Sequence, residues 1–180
     1  SIDVYVGRGC VWSADPDPKC AARQASLQKD LLSNGYDAIV VTAWNQLEAT
    51  DQVRQQRAER FAERWRTARE QGIQVIPVLD NPGIAQSSAD CVTSTSSFTF
   101  ETCAFAAADF LREDPLALAA DESGVTPVDL RGAYCDPDGV CPMVAGGVVV
   151  YRDLHHITAS FSHSLAPYLL DEITALLDAA

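Results

Sequence analysis

Two short, unbroken apolar runs bracket one long amphipathic stretch, and that spacing constrains the fold more than any other feature of the chain. Residues 38–43 (AIVVTA) are β-branched and continuously apolar, the pattern of a strand buried on both faces. Residues 73–79 (IQVIPVL) repeat it. Between them a helix is predicted from a cap at Thr50 or Asp51 to a stop at Gly72. Its apolar residues Ala58, Phe61, Ala62, Trp65 and Ala68 recur at threes and fours, so one stripe faces a core. Six arginines and several acids are assigned to the other, solvated face. Strand, helix and strand at this separation make a βαβ unit with parallel strands.

The rest of the chain continues the alternation. Residues 2–6 (IDVYV) read as a strand, and 21–33 as a helix that stops at Asn34-Gly35. Residues 102–111 and 116–123 read as helices broken by Pro115. Residues 125–130 give a fourth strand and 148–151 a short fifth. Thr158 caps a final helix toward Leu177, which Pro167 is expected to kink. The expectation is one domain over residues 1–180: a three-layer α/β/α arrangement around a mostly parallel sheet. No apolar run is long enough to cross a bilayer, and the start lacks a signal-peptide pattern, so the chain as given is expected to be soluble.

Charge excludes two classes of partner. The formal net charge is −12, and residues 101–180 carry 13 acids against 3 bases. Such a surface repels phosphate backbones and anionic lipid, so neither nucleic acid nor a membrane surface is an expected partner.

The six cysteines form three sequence-local couples: Cys10 with Cys20, Cys91 with Cys103, and Cys135 with Cys141. Each couple brackets turn-rich sequence, SADPDP, TSTSSFT and DPDG in order. An even count in couples that each close a loop predicts three local disulfides and an oxidising compartment. Free thiols in a cytoplasmic core are the other reading. None of the couples has the tight spacing of a zinc knuckle, so no metal site is assigned.

Ligands of open α/β sheets gather at the C-terminal ends of strands. Three segments fall there: Gly7-Arg8-Gly9-Cys10, Trp44-Asn45-Gln46, and residues 152–158 (RDLHHIT). Asp153 and His156 stand three apart on a turn leading into a helix. There a carboxylate can accept the Nδ1 proton of an imidazole and leave Nε2 free as a general base. An exposed turn without chemistry has the same sequence, and the spacing alone does not separate the two. Asn45 offers an amide, and Gly9 a closely approachable backbone, where an oxyanion could be held. Plain turns account for both equally well.

Taken together, these segments resemble the SGNH (GDSL-like) hydrolases, whose sheet is flavodoxin-like. More narrowly they resemble the extracytoplasmic SGNH domain fused behind membrane-bound type 3 acyltransferases. The closest stretch runs from Tyr134 to Leu165, with its cysteine couple ending in Cys141-Pro142, its Tyr151-Arg152-Asp153 strand end and its Asp153-Leu154-His155-His156-Ile157-Thr158 block. Cys10 and Cys20, the strand ending in Trp44, and Asp80-Asn81-Pro82 followed by Cys91 and Cys103 are similar too.

The resemblance implies that His156 is the catalytic base and Asp153 its orienting partner. It implies oxyanion roles for Asn45 and Gly9, although Ala43 and Gln46 depart from the family's Gly-x-Asn-Asp block. The family's serine sits in a Gly-Asp-Ser motif after the first strand, and the chain has no such motif. The nucleophile is therefore unassigned. The chain is expected to lack a first strand and helix of roughly 30 residues, either as a fragment of a longer protein or as a natural variant with half a triad.

For the parent protein the resemblance implies a Ser-His-Asp O-acyltransferase without metal or organic cofactor. An acyl group, typically acetyl, would pass from a membrane-embedded acyltransferase domain to a cell-envelope glycan or glycolipid. The domain would be extracytoplasmic and tethered to the membrane through the missing N-terminal region. A non-catalytic extracellular module that binds glycan or a partner protein, and a secreted esterase or lipase, are the alternatives.

Overall fold

A computed structural model describes residues 2–5, 10–13, 17–45, 49–84, 93–94, 103–110 and 112–179. The first helix, α1, spans Pro18–Ser33. Pro18 sets its opening turn and Asp17 caps it, accepting from the Lys19 N–H at 2.9 Å. Gly35, at φ +69°, ends the turn beyond it. The buried face of α1 carries Gln24 and Gln28 as well as Cys20 and Leu31. Gln24 donates to the Val11 carbonyl at 3.0 Å and Gln28 accepts from the Trp12 indole, which fastens the segment after Cys10 onto the helix.

Strand β1 (Ala38–Thr42) and strand β2 (Gln74–Val78) pair in parallel, with Ile39 opposite Val75 and Val41 opposite Pro77. Helix α2 (Asp51–Glu70) makes the crossover between them, capped by the Thr50 hydroxyl. The predicted stripe is the buried one: Ala58, Phe61, Ala62, Trp65 and Ala68 are fully inaccessible. One arginine departs from the solvated face. Arg54 is buried and pairs with Asp51 at 3.1 Å. Helix α2 packs against a later helix through Leu116, Ala119 and Ala120, and together with Ile39, Val41 and Val75 they form the larger hydrophobic core.

β1 is not buried on both faces as its composition suggests. Ile39 and Val41 face the core, whereas Val40 is 50% exposed. On the same reverse face of β2, Ile76 is covered. Among the described residues β1 pairs only with β2, which leaves its other edge unpaired. The predicted fourth strand, residues 125–130, shrinks to a single parallel bridge between Val128 and Val78. Pro77 supplies the reason. Its carbonyl accepts from the Val128 N–H at 2.8 Å, but it has no N–H with which to extend the ladder on that side.

Four further short strands make two antiparallel pairs, so the fifth predicted strand does not join the parallel sheet. β3 (Phe105–Ala106) pairs with β4 (Val140–Cys141), and β5 (Val144–Ala145) with β6 (Val148–Val149). The β5–β6 turn is Gly146-Gly147, both at positive φ, as a two-residue hairpin that follows strand twist requires. The predicted helix over 102–111 is the β3 pair followed by a four-residue helix, α3 (Ala107–Phe110). α4 (Pro115–Ser123) starts at Pro115 under an Asp114 cap. α5 (Ala159–Asp178) runs through Pro167 under a Thr158 cap. Phe161 and Leu165 of α5 close a second core with Phe105, Tyr134, Cys141, Met143 and Tyr151. Residues 2–5 form no strand, and the remainder of that predicted element lies outside the described residues.

Cys10–Cys20 and Cys135–Cys141 are disulfides, with Cα–Cα distances of 5.3 and 4.0 Å. Cys103 is disulfide-bonded as well. Cys91, its expected partner, lies outside the described residues. Non-reducing peptide mapping should recover Cys91–Cys103 beside the other two pairs. A peptide linking two different couples would overturn that assignment.

Candidate active site

Three chain segments converge beyond the C-terminal ends of β1 and β2: Trp44-Asn45, Asp80-Asn81 and residues 151–157. The last is a tight excursion between β6 and α5. A bridge between Tyr151 and Ile157 closes its base, and the Arg152 N–H donates to the His156 carbonyl at 2.8 Å. Inside the turn the Asp153 carboxylate accepts from the backbone N–H groups of His155 (3.2 Å) and His156 (2.8 Å). It also contacts His156 Nδ1, at 2.9 Å through Oδ1 and 2.8 Å through Oδ2.

A carboxylate only accepts, so Nδ1 carries the proton and Nε2 presents its lone pair. Among the described residues Nε2 has no hydrogen-bond partner. Desolvation opposes ionisation of Asp153, but the His156 and His155 backbone N–H groups, the His156 ring and its charge together outweigh it. The carboxyl is held well below the ordinary range. His156 remains about half exposed, which leaves Nε2 open to solvent.

The two other segments are tied to this turn. Asn81 Nδ2 donates to the His155 carbonyl at 3.1 Å. Trp44 stacks on the His155 ring with centroids 5.1 Å apart. Asp80 Oδ2 accepts from the Asn45 backbone N–H at 2.7 Å, and Asp80 Oδ1 from that of Asn81 at 3.0 Å. The Asn45 side-chain nitrogen donates to the carbonyls of Arg112 (3.2 Å) and Glu113 (3.4 Å), so its donors point at main chain. Gly9 lies outside the described residues. Ser123 is buried at the end of α4 with its hydroxyl bonded to the Ala119 carbonyl, which removes it from the reckoning as a nucleophile.

Asp153, His155 and His156 also form a group whose ligand atoms, within 4.8 Å of one another, lie close enough for a metal ion. Within that group His156 Nδ1 is already engaged by the Asp153 carboxylate. A cavity of about 380 Å³ beside Ile73, Val125 and Leu176 lies at the opposite end of β2 and carries none of this chemistry.

Asp80 is the residue that sequence reasoning passed over, although Asp80-Asn81-Pro82 directly follows an apolar strand. Desolvation raises its pKa from 3.8 to about 6, against the two backbone donors; Asp114 raises it further and His156 lowers it. Asp114, whose Oδ2 accepts from the Asp80 N–H at 2.9 Å, is raised too, chiefly by burial. The sign follows from linkage. A carboxyl that binds its proton more tightly when folded contributes stability below pH 4 that is lost as pH rises toward 6. Across that window the shift corresponds to about 3 kcal/mol. Asp80→Asn should flatten the fall in the denaturant midpoint between pH 4 and 7. A variant whose midpoint falls as steeply as that of the parent would show that Asp80 is not the titrating group.

A parallel βαβ core thus carries a hydrogen-bonded His–Asp pair past the ends of its strands. The chain matches the model of the SGNH domain (fused to AT3 domains) over residues 1–171 and belongs to that family. Among solved structures it is similar to the periplasmic domain of the lipopolysaccharide acetyltransferase of Salmonella ser. Paratyphi A, with a TM-score of 0.65 and 11% identity over 91% of this chain and 68% of that one. At that identity the likeness concerns the fold. No curated protein matches in sequence. Family and fold together make this an SGNH-like α/β module related to acyl transfer.

Proposed function

We propose that the chain is the SGNH domain of an O-acyltransferase that moves an acetyl group onto a hydroxyl of a cell-envelope glycan or glycolipid. The observation that carries this is the His156 ring, oriented by Asp153 with Nε2 open, in a chain of this family. The disulfides and the periplasmic origin of the Salmonella neighbour support an extracytoplasmic location. The family's fusion to AT3 domains supports a membrane-embedded donor domain on the same polypeptide.

In this reading the nucleophilic serine comes from a strand ahead of residue 2. The edge of β1 left unpaired among the described residues supports this, as does segment 2–5. Tyr5 and Asp3 of that segment bond the Tyr36 hydroxyl at 2.9 and 2.7 Å, while Ile2 and Val4 stay almost wholly exposed. A strand laid between this segment and β1 would cover Val40 and deliver its C-terminal end beside Trp44 and Asp153.

In the proposed reaction His156 Nε2 takes the serine proton as Oγ attacks the acetyl carbonyl, then returns it to the departing donor group. The base next deprotonates the acceptor hydroxyl, which attacks the acyl-serine and releases the serine. Backbone amides, Gly9 and one N–H of Asn45 would hold the oxyanion, Asn45 by giving up its longer bond to Glu113. The test is acetyl-ester turnover by the full-length protein. A protein that turns over neither a nitrophenyl ester nor a natural acceptor would favour the non-catalytic glycan- or partner-binding module.

A further inference from the structure

Trp44 is the exception among the three tryptophans. Trp12 and Trp65 are 5% and 0% exposed, while Trp44 is 51% exposed. An indole left in water forgoes a large burial, so a fixed, half-open one beside a base calls for a partner. It is well anchored. Its carbonyl accepts from Arg57 at 3.1 Å, and the next residue is held by Asp80 at 2.7 Å. Its ring lies at 25° to that of His155, which Asp153 and Asn81 hold through its backbone. The His155 and His156 ring centroids are 4.2 Å apart. Trp44, His155 and His156 therefore follow one another as neighbouring rings, with the exposed indole outermost and the proposed base at the other end.

Resting on the acyl-transfer reading, we propose that Trp44, propped by the His155 ring, is the acceptor platform and seats an uncharged pyranose ring. The C–H face of a sugar matches an indole face, and the part of Trp44 that His155 does not cover is open to it. An acetyl group is too small to cover that face, which assigns it to the acceptor rather than the donor. The net charge of −12 and the Asp80 and Asp153 carboxylates disfavour an anionic sugar.

Because Trp44 is the exposed indole, its fluorescence in the 180-residue chain reports occupancy. Titration with maltotriose, cellotriose and chitotriose should give a saturable change with at least one of them. His155→Ala should weaken that binding about fivefold, and Trp44→Ala, followed by saturation-transfer NMR on the sugar, about tenfold, or about 1.4 kcal/mol. Trp44→Phe should recover part of the loss. A purely structural stack would give no sugar-dependent signal. Silence with all three trisaccharides, while ester turnover of the full-length protein still depends on His156, would overturn the platform alone. Sugar binding at Trp44 in a protein whose ester turnover ignores His156 would overturn the catalytic reading and leave the platform standing.

Discussion

His156→Ala in the full-length protein should reduce acetyl-ester turnover by about 10⁴-fold or more, with the domain still folded. The side chain is half exposed and outside both cores, so its loss leaves packing intact. The chemical loss is large because a serine hydroxyl cannot shed its proton near neutral pH without a base, and no other described group has an open imidazole nitrogen held in register. Asp153→Asn should approach the same deficit by another route. An amide in that place can present its NH₂ to Nδ1, which puts the proton on Nε2 and removes the base. His155→Ala should leave far more ester turnover, since the His155 ring lies 4.0 Å from the carboxylate and outside hydrogen-bonding range. Equal losses at His155 and His156 would dismiss the assignment.

The 180-residue chain by itself should show no serine-dependent ester turnover above the slow background of an exposed imidazole. It contains no Gly-Asp-Ser, and Ser123 is buried with its hydroxyl engaged. A base and oxyanion donors without a nucleophile retain only a small residue of the acceleration that a full triad gives. A longer chain that carries the proposed strand and helix should turn the ester over, and should also shield Val40 and Ile2 from solvent in hydrogen-exchange or labelling measurements. Serine-dependent turnover by the short chain would mean that one of the serines present is the nucleophile after all.

The sequence disclosed what depends on local periodicity. The α2 stripe from Ala58 to Ala68 was legible because helical spacing alone selects it, and the Asp153–His156 pair because three residues of a turn suffice to close it. What escaped depends on neighbours distant in the chain. Val40 looks like a core residue within its apolar run, yet its face of β1 is left half open. Residues 125–130 look like a full strand until Pro77, some fifty positions earlier, withholds its N–H. Arg54 belongs by composition to the solvated face of α2 yet is buried against the protein. Asp80 is an ordinary acid in the sequence. Its raised pKa arises only when β1, β2 and the Asp114 cap meet around it.

The open side of β1 has a consequence for the behaviour of the chain in solution. The edge of β1 that no described residue pairs, beside exposed Val40, is a template that does not discriminate among strands, and a second copy can satisfy it. What keeps copies apart is mutual repulsion between surfaces of net charge −12, a barrier that added salt screens and that mild acid removes as the carboxylates take up protons. The colloidal stability of the isolated domain is thus set by the same acidic surface that makes nucleic acid and anionic lipid poor partners for it.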